Sequence, residues 1–431
     1  MESDIKLTST ATEDTFRSYL FFWSGQLFSL LGSSITQFAL VWWITITTDS
    51  AVMLSIASFL YMLPMTIAFP IAGVLVDRYS RKKIIVIADS LQAFVTISII
   101  ILFNLGMEDP LLIILMNSLL GLFQGFHIPT VIAIVPTMVP EKKLSRVNGI
   151  NYLFTGFIHI LGPVIGAALL SLFPIKIILW LDPITFIIAF IPLILIKIPK
   201  VRTKKPSIKK SSFKKDFKEG FKTLKLIPVV SMMLLLSMFI NFLLKPLNTL
   251  MPYFVSNTHS GTASDLALIS IFFPIGTFIG ALITSIKKNW KHIIFIYFGG
   301  ELLLMVPMII FALAPHGSFL LMGITYSGYG LLIPILNTIY ITLMQKEVPA
   351  DKMGRVTSID WTISFAISPI ATLFAGFLSD IVGIRNLFFY CAIIGIIITV
   401  IIWRFTSVRY NSKRERKYLK KIDENGNLDI K

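Results

Sequence analysis

The sequence predicts an all-α integral membrane protein, with twelve transmembrane helices in two pseudo-symmetric six-helix bundles. Three observations predict it. Of the 431 residues, 55% are hydrophobic and only 14% are charged. The apolar residues fall in twelve runs, each long enough to cross about 30 Å of hydrocarbon. A stretch of the first half of the chain recurs in the second. A soluble chain of this length could not hide so much apolar surface, so lipid must cover it.

The first six runs fall at 18–46, 51–76, 84–105, 111–136, 147–172 and 177–197. The second six fall at 228–255, 265–286, 292–313, 317–344, 356–380 and 386–405. Turn formers separate several of them: Thr48-Asp49-Ser50, Glu108-Asp109-Pro110 and Pro315-His316-Gly317. The expected organisation is an N-terminal bundle over 1–198, a basic linker over 199–226, a C-terminal bundle over 227–405 and a basic tail over 406–431. The N-terminus carries Glu2, Asp4, Glu13 and Asp14 rather than a basic region, so no cleavable signal peptide is expected.

The cations orient the spans. With the N-terminus inside, the cytoplasmic segments hold 36 of the 39 Lys and Arg residues. Only Lys176 and Arg385 fall on the other side, and Lys245 falls within a span. Basic loops stay in the cytoplasm, which places both termini there in a multi-pass protein of the plasma membrane. The asymmetry also accounts for the formal charge of +16. The run from Lys197 to Lys225 reads as a topogenic linker near anionic headgroups. Nucleic acid is not expected as a partner, because no aromatic stacking platform accompanies the charge.

The repeat is explicit. Residues 139–152, VPEKKLSRVNGINY, align without gaps to residues 348–361, VPADKMGRVTSIDW. Val139, Pro140, Lys143, Arg146, Val147 and Ile150 match Val348, Pro349, Lys352, Arg355, Val356 and Ile359. At nearly the same offset Gly73 recurs as Gly280, whereas Asp77 is replaced by Thr284. Two halves in the same orientation form a parallel repeat. Such repeats place a substrate site between the halves and work by rocking one on the other.

Four motifs carry a family resemblance. The loop GVLVDRYSRKKI at 73–84 contains Gly73, Asp77, Arg78 and Arg81 in the order of the signature loop of major facilitator superfamily transporters. Span 5 carries Gly156, Gly162, Pro163 and Gly166, which resembles the Gly-x(5)-Gly-Pro-x-x-Gly motif of antiporters. Span 1 reads Trp23-Ser24-Gly25-Gln26 and then Gly32-Ser33, and span 6 contains Leu181-Asp182-Pro183. Over nearly its whole length the chain is similar to this superfamily, and within it to drug:proton antiporters of the macrolide-efflux type.

The resemblance implies roles. Gly73 would let the second helix approach the eleventh, and Asp77 would meet the positive end of that helix's dipole as a latch. Arg78 would pair with Asp360 one turn further in. The span 5 glycines would pack the two halves tightly at the cavity, and Pro163 would bend the helix. One departure is clear: where drug antiporters carry an arginine in span 4, this chain reads Gly121-Leu122-Phe123-Gln124-Gly125. That removes the side chain such a proton relay would use.

Polar groups at membrane depth are functional candidates by default. Asn241, Lys245 and Asn248 follow i, i+4, i+7 spacing, so they share one helix face and are expected to line the cavity. Pro246 and Pro252 are expected to break the helix there. Gln26, Ser29, Ser33 and Gln37 form a second polar stripe on span 1, and Gln124 joins the cavity from span 4. Glu301, near mid-depth in span 9, is the proton-coupling candidate, because burial disfavours a charged carboxylate. Its alternative role is a structural partnership with a neighbouring helix. Asp89, Asp360 and Asp182 lie nearer the membrane faces as latches or caps, and His127 and His159 read as struts or titrating groups.

The expected partners are a small-molecule substrate, protons and the lipid bilayer, for a monomer. No cofactor and no metal are expected: the single cysteine, Cys391, stands apart from any ligand cluster. Neither a P-loop nor a zinc-protease or nucleophile-elbow motif is present, so neither an ATP-driven pump nor those hydrolases are supported. The leading expectation is proton-coupled export of hydrophobic or amphiphilic, macrolide-like drugs. The alternative is export or flipping of a lysolipid, siderophore or other metabolite on the same fold.

Overall fold

The computed structural model describes residues 11–199, 224, 227–287, 290–348 and 352–406. Most of the basic linker, the tail beyond Thr406, and Lys288 of the repeat lie outside the described residues, as do the side chains of Asp77 and Arg355.

Among the described residues, twelve helices are long and apolar enough to cross a membrane. Spans 1 to 6 are Glu13–Thr48, Ala51–Val76, Arg81–Leu105, Pro110–Met138, Glu141–Leu172 and Ile175–Leu195. Spans 7 to 12 are Pro228–Thr258, Ala263–Ile286, Ile293–Ala312, Phe319–Glu347, Ile359–Val382 and Ile384–Phe405. The helices carrying spans 2 and 11 extend beyond them, to Arg78 and back to Met353. Lipid leaves no other choice, since backbone N–H and C=O groups must pair within the segment. Many large apolar side chains stay exposed in the protein itself, Phe94 at 67% and Phe157 at 56% among them. That is the surface hydrocarbon must cover.

Helix ends follow the local chemistry. Thr12 and Thr15 form a reciprocal cap at the start of span 1, with Glu13 and Asp14 in the first turn. This begins the helix five residues earlier than the apolar run alone suggests. Asp109 caps span 4 through Leu112 N at 3.1 Å, with Pro110 in the first turn where no N–H is needed. Gly106, Gly317 and Gly383 take positive φ at turns between spans. Span 6 is not continuous: a single turn at Ile175–Ile178 precedes the main helix Leu181–Leu195.

The chain divides into two compact units, residues 1–207 with 255–271, and residues 208–254 with 272–431. The segment 255–271 groups with the first unit, where Asn257 Nδ2 donates to Asp49 Oδ1 at 3.2 Å. In the first unit, span 1 packs on spans 5 and 6, and span 2 packs on span 4. One core cluster centres on Tyr19, Phe22, Ile85, Ile134 and Leu193, and another on Leu40, Ile99, Ile113 and Leu179. In the second unit, span 7 packs on spans 11 and 12, and span 9 on spans 10 and 12. Its aromatic core brings Phe254 against Phe388 at 5.1 Å and against Phe311 at 5.8 Å between ring centroids.

Close backbone approach is a device both units use. A Cβ on Gly121 of span 4 would collide with the Tyr61 carbonyl oxygen of span 2, and one on Gly125 would come within 2.7 Å of Met65 O. In the second unit, a Cβ on Gly280 of span 8 would collide with the Leu331 carbonyl oxygen of span 10. Small residues permit this spacing between membrane helices. The glycine standing where the resemblance implies an arginine therefore has a physical cause, because span 2 backbone fills the space a side chain would need. Gly73, whose expected approach is to span 11, makes no such contact within its own unit. A Cβ there would meet no atom within 4 Å, so its small size serves no close packing within its own bundle.

Gly121→Arg is accordingly expected to destabilise the first unit by about 3 kcal/mol or more, the upper range for forced overpacking. Thermal unfolding of the purified protein in nanodiscs checks this, and Leu122→Arg on the same helix serves as the comparison.

Candidate functional site

Spans 1, 3, 4 and 6 of the first unit converge on a cavity of about 40 Å³. Its polar wall comprises Gln26, Ser29 and Ser33 from span 1, Asp89 and Gln92 from span 3, Gln124 and His127 from span 4, and Asp182 from span 6. Among the described residues, no Lys or Arg lines it. Helical periodicity aims these groups together. Gln26, Ser29 and Ser33 share one face of span 1, and Asp89, Gln92 and Thr96 share one face of span 3.

Asp182 is the hub of this wall and is only 9% exposed. Ser33 Oγ donates to its Oδ1 at 2.6 Å, and Thr96 Oγ1 donates to its Oδ2 at 2.7 Å. Three helices are thereby joined through one carboxylate. Asp89, also buried, lies with its Oδ1 2.5 Å from His127 Nδ1, joining spans 3 and 4. A carboxylate can only accept, so the imidazole nitrogen is the donor in that contact. Both carboxylates face the cavity and bind other spans. Gln26, Ser33 and Gln124 line this cavity within the first unit. Gln37 is half-buried and does not line it.

The span 5 motif also has a defined setting. A Cβ on Gly162 would collide with the Ser34 side chain, and one on Gly166 would come within 2.8 Å of Phe38 Cδ1. Both glycines thus fit span 5 against span 1 of the same unit, whereas the resemblance implied that they join the two halves. Gly156 has open space beside it, and the helix runs continuously through Pro163.

The signature loop contributes an anchor that its basic pattern does not announce. Lys82 Nζ donates to Ile196 O at 2.8 Å and also to Ile194 O. A cation there satisfies carbonyls at the C-terminal end of span 6 and favours the negative end of its dipole. Arg78 is exposed and Arg81 half-buried.

In the second unit, Glu301 is 5% exposed, and its Oε2 has no hydrogen-bond partner among the described residues. Tyr297, one turn away on the same helix, is also buried. Tyr340 of span 10 lies beside Tyr297, with ring centroids 6.1 Å apart, and its hydroxyl donates to Asp360 Oδ1 at 2.8 Å. Asp360 is therefore engaged within its own unit. Asn241 and Asn248 are exposed and Lys245 half-buried, while Leu243, Leu244 and Leu247 beside them are buried. The three polar residues do share a face, one that their own bundle leaves uncovered. Tyr326 donates to Asn248 Oδ1 at 2.8 Å. The expected break at Pro246 is absent, since the helix runs unbroken from Pro228 to Tyr253 and ends in a π turn at Phe254–Thr258.

Thr96→Val keeps the shape of span 3 and removes a donor to a buried carboxylate. It is expected to cost about 1.5–3 kcal/mol, seen as a lowered Tm. Ser98→Ala, whose hydroxyl bonds only its own helix at Phe94 O, is expected to stay within about 0.5 kcal/mol of the parent.

The comparisons with known proteins agree with this architecture. Residues 22–372 match the family model described as Major Facilitator Superfamily. The chain is 27% identical over 388 residues to macrolide efflux protein A of Streptococcus pyogenes, covering 90% of this chain and 95% of that one. It is 23% identical over 366 residues to the multidrug efflux pump Tap of Mycolicibacterium fortuitum, covering 83% and 88%. Its fold is similar to the crystal structure of a bacterial homologue of the iron transporter ferroportin in an inward-facing state. That match has a TM-score of 0.68 at 12% identity and covers 90% of this chain and 99% of the other. The chain belongs to the major facilitator superfamily, a family of multi-pass membrane transporters.

Proposed function

We propose that this protein exports hydrophobic or amphiphilic drugs of the macrolide kind across the plasma membrane, in exchange for protons. The observation that carries the reading is the similarity to macrolide efflux protein A over 90% of the chain. The two halves, 1–198 and 227–405, act as the moving bodies, joined by the linker 199–226. Both termini and the tail 406–431 lie in the cytoplasm, as the loop cations require. The protein works as a monomer, with Asn241, Lys245, Asn248 and the span 1 stripe facing the cargo. Asp77, with Gly73, Arg78 and Arg81, acts in the conformational switch.

Proton coupling is assigned to Glu301. It is a carboxyl buried at membrane depth, with one oxygen free of hydrogen bonds among the described residues. Such a group is costly to keep charged unless a proton or partner compensates it.

The test is uptake of labelled macrolide into inverted vesicles containing the protein, with and without an inward-acid gradient. The expected result is gradient-driven accumulation that a protonophore collapses. Glu301→Gln should reduce that accumulation on the order of tenfold, about 1.4 kcal/mol of lost coupling. Accumulation insensitive to the protonophore would remove proton coupling from the account. Failure to accumulate macrolides or other amphiphilic drugs would move the cargo to a lysolipid, siderophore or other metabolite.

A further inference from the structure

Span 5 carries a polar stripe that the glycine motif on the same helix does not use. Asn148, Tyr152, Thr155 and His159 follow i, i+4, i+7, i+11 spacing, so they share one helix face over about 16 Å. Their own bundle leaves that face open: Asn148, Tyr152 and His159 are exposed and Thr155 is half-buried. His159 makes no hydrogen bond or ion pair among the described residues. It stands about 20 Å below the outer end of the helix at Leu172, too deep for its ring to reach lipid headgroups. Contact with span 1 lies to one side of the stripe, through Asn151 on Tyr19 and Phe154 on Trp23. The opposite side of the helix is apolar, with Leu153 49% and Phe157 56% exposed. Hydrocarbon suits that side and not a row of amide, hydroxyl and imidazole groups. The second unit repeats the pattern. At the offset of the sequence repeat, Thr357, Trp361, Ser364 and Ser368 take the same places on span 11, with Trp361 exposed and the other three half-buried.

We infer that the span 5 stripe faces the water-filled pathway of the transport cycle, and that His159 is its contact to the oxygen-bearing part of the cargo. A row of open donors and acceptors at membrane depth needs an occupant that hydrogen-bonds, which lipid tails do not. A neutral imidazole donates from one nitrogen and accepts at the other. It therefore matches the hydroxyl and carbonyl oxygens on the polar edge of an amphiphilic drug. The Tyr152 ring, 68% exposed, adds an apolar platform with a polar tip on the same face. The inference deepens the cargo class proposed above and rests on that reading only for the identity of the cargo. The orientation of the stripe toward water stands without it.

Thiol labelling tests it, because the chain has a single cysteine, Cys391, and it is buried. Thr155→Cys, His159→Cys and Phe157→Cys are made singly in a Cys391→Ala background. The full-length proteins in nanodiscs are treated with a charged, membrane-impermeant methanethiosulfonate. A thiol in water ionises and reacts, so Thr155→Cys and His159→Cys are expected to label at least about tenfold faster than Phe157→Cys. Erythromycin near saturation is expected to slow labelling of Thr155→Cys at least about fivefold. Adding His159→Leu should raise the erythromycin concentration for half-protection about fivefold, and His159→Gln, which keeps a donor and an acceptor, should bring it back to within about twofold. Labelling at 155 and 159 no faster than at 157 overturns the inference and marks a stripe packed on another helix. Protection unchanged by His159→Leu overturns the His159 contact. Uptake into vesicles separates these results from the macrolide reading. Erythromycin that is transported without protecting overturns the contact alone. Erythromycin that neither is transported nor protects removes the macrolide reading and the contact together, while the labelling rates still decide where the stripe faces.

Discussion

Hydrocarbon offers no hydrogen bonds, and this constraint governs every polar choice in the chain. It imposes helices on all twelve spans. It also forces polar side chains inside them to find one another. Asp182 is the clearest case. One carboxylate ties spans 1, 3 and 6 through Ser33 and Thr96, while the Asp89–His127 contact ties span 3 to span 4. The second unit follows the same rule, with Tyr340 on Asp360 and Tyr326 on Asn248. The rule is left incomplete at Gln26, Thr36, Ser55, Asn117 and Glu301, each with a buried polar atom that has no hydrogen-bond partner among the described residues.

The same constraint explains the reliance on glycine. Between membrane helices the hydrophobic effect gives little drive, so packing and close approach must hold the bundle together. Span 4 meets span 2 through Gly121, and span 8 meets span 10 through Gly280, each against a backbone carbonyl. Use of one device in both units fits the sequence repeat and gives a structural reason for the missing arginine. Gly162 and Gly166 extend the device to spans 5 and 1. A motif implied to join the two halves is, at these two positions, engaged in building one of them.

Much of the fold was legible because its signals are local. Apolar run length gave the spans, and turn formers gave their limits to within a few residues. Capping moved some limits: Thr12 and Thr15 started span 1 early. The candidate site was only partly legible. The stripe on span 1 and the Asn241, Lys245 and Asn248 face follow from helical spacing on a single helix. The Asp89–His127–Asp182 cluster draws on three spans distant in sequence, and no periodicity within one helix shows that they meet. A signal was present, since Asp89, Gln92 and Thr96 share i, i+3, i+7 spacing, as Gln26, Ser29 and Ser33 do. Two polar stripes on neighbouring helices of one bundle are a reason to look for a shared cavity. The break expected at Pro246 is absent for the opposite reason: a breaker read locally does not interrupt a helix whose neighbouring Leu243, Leu244 and Leu247 are buried.

The proposed proton carrier is Glu301, a buried carboxyl whose Oε2 has no hydrogen-bond partner among the described residues. The most direct measurement is proton release on drug binding, followed with a pH indicator in weakly buffered solution containing the purified protein and a saturating macrolide. The account predicts release of about one proton per bound drug from the parent protein, and none from Glu301→Gln at undiminished occupancy. Equal release from both proteins would contradict it and place the exchanged proton on another group.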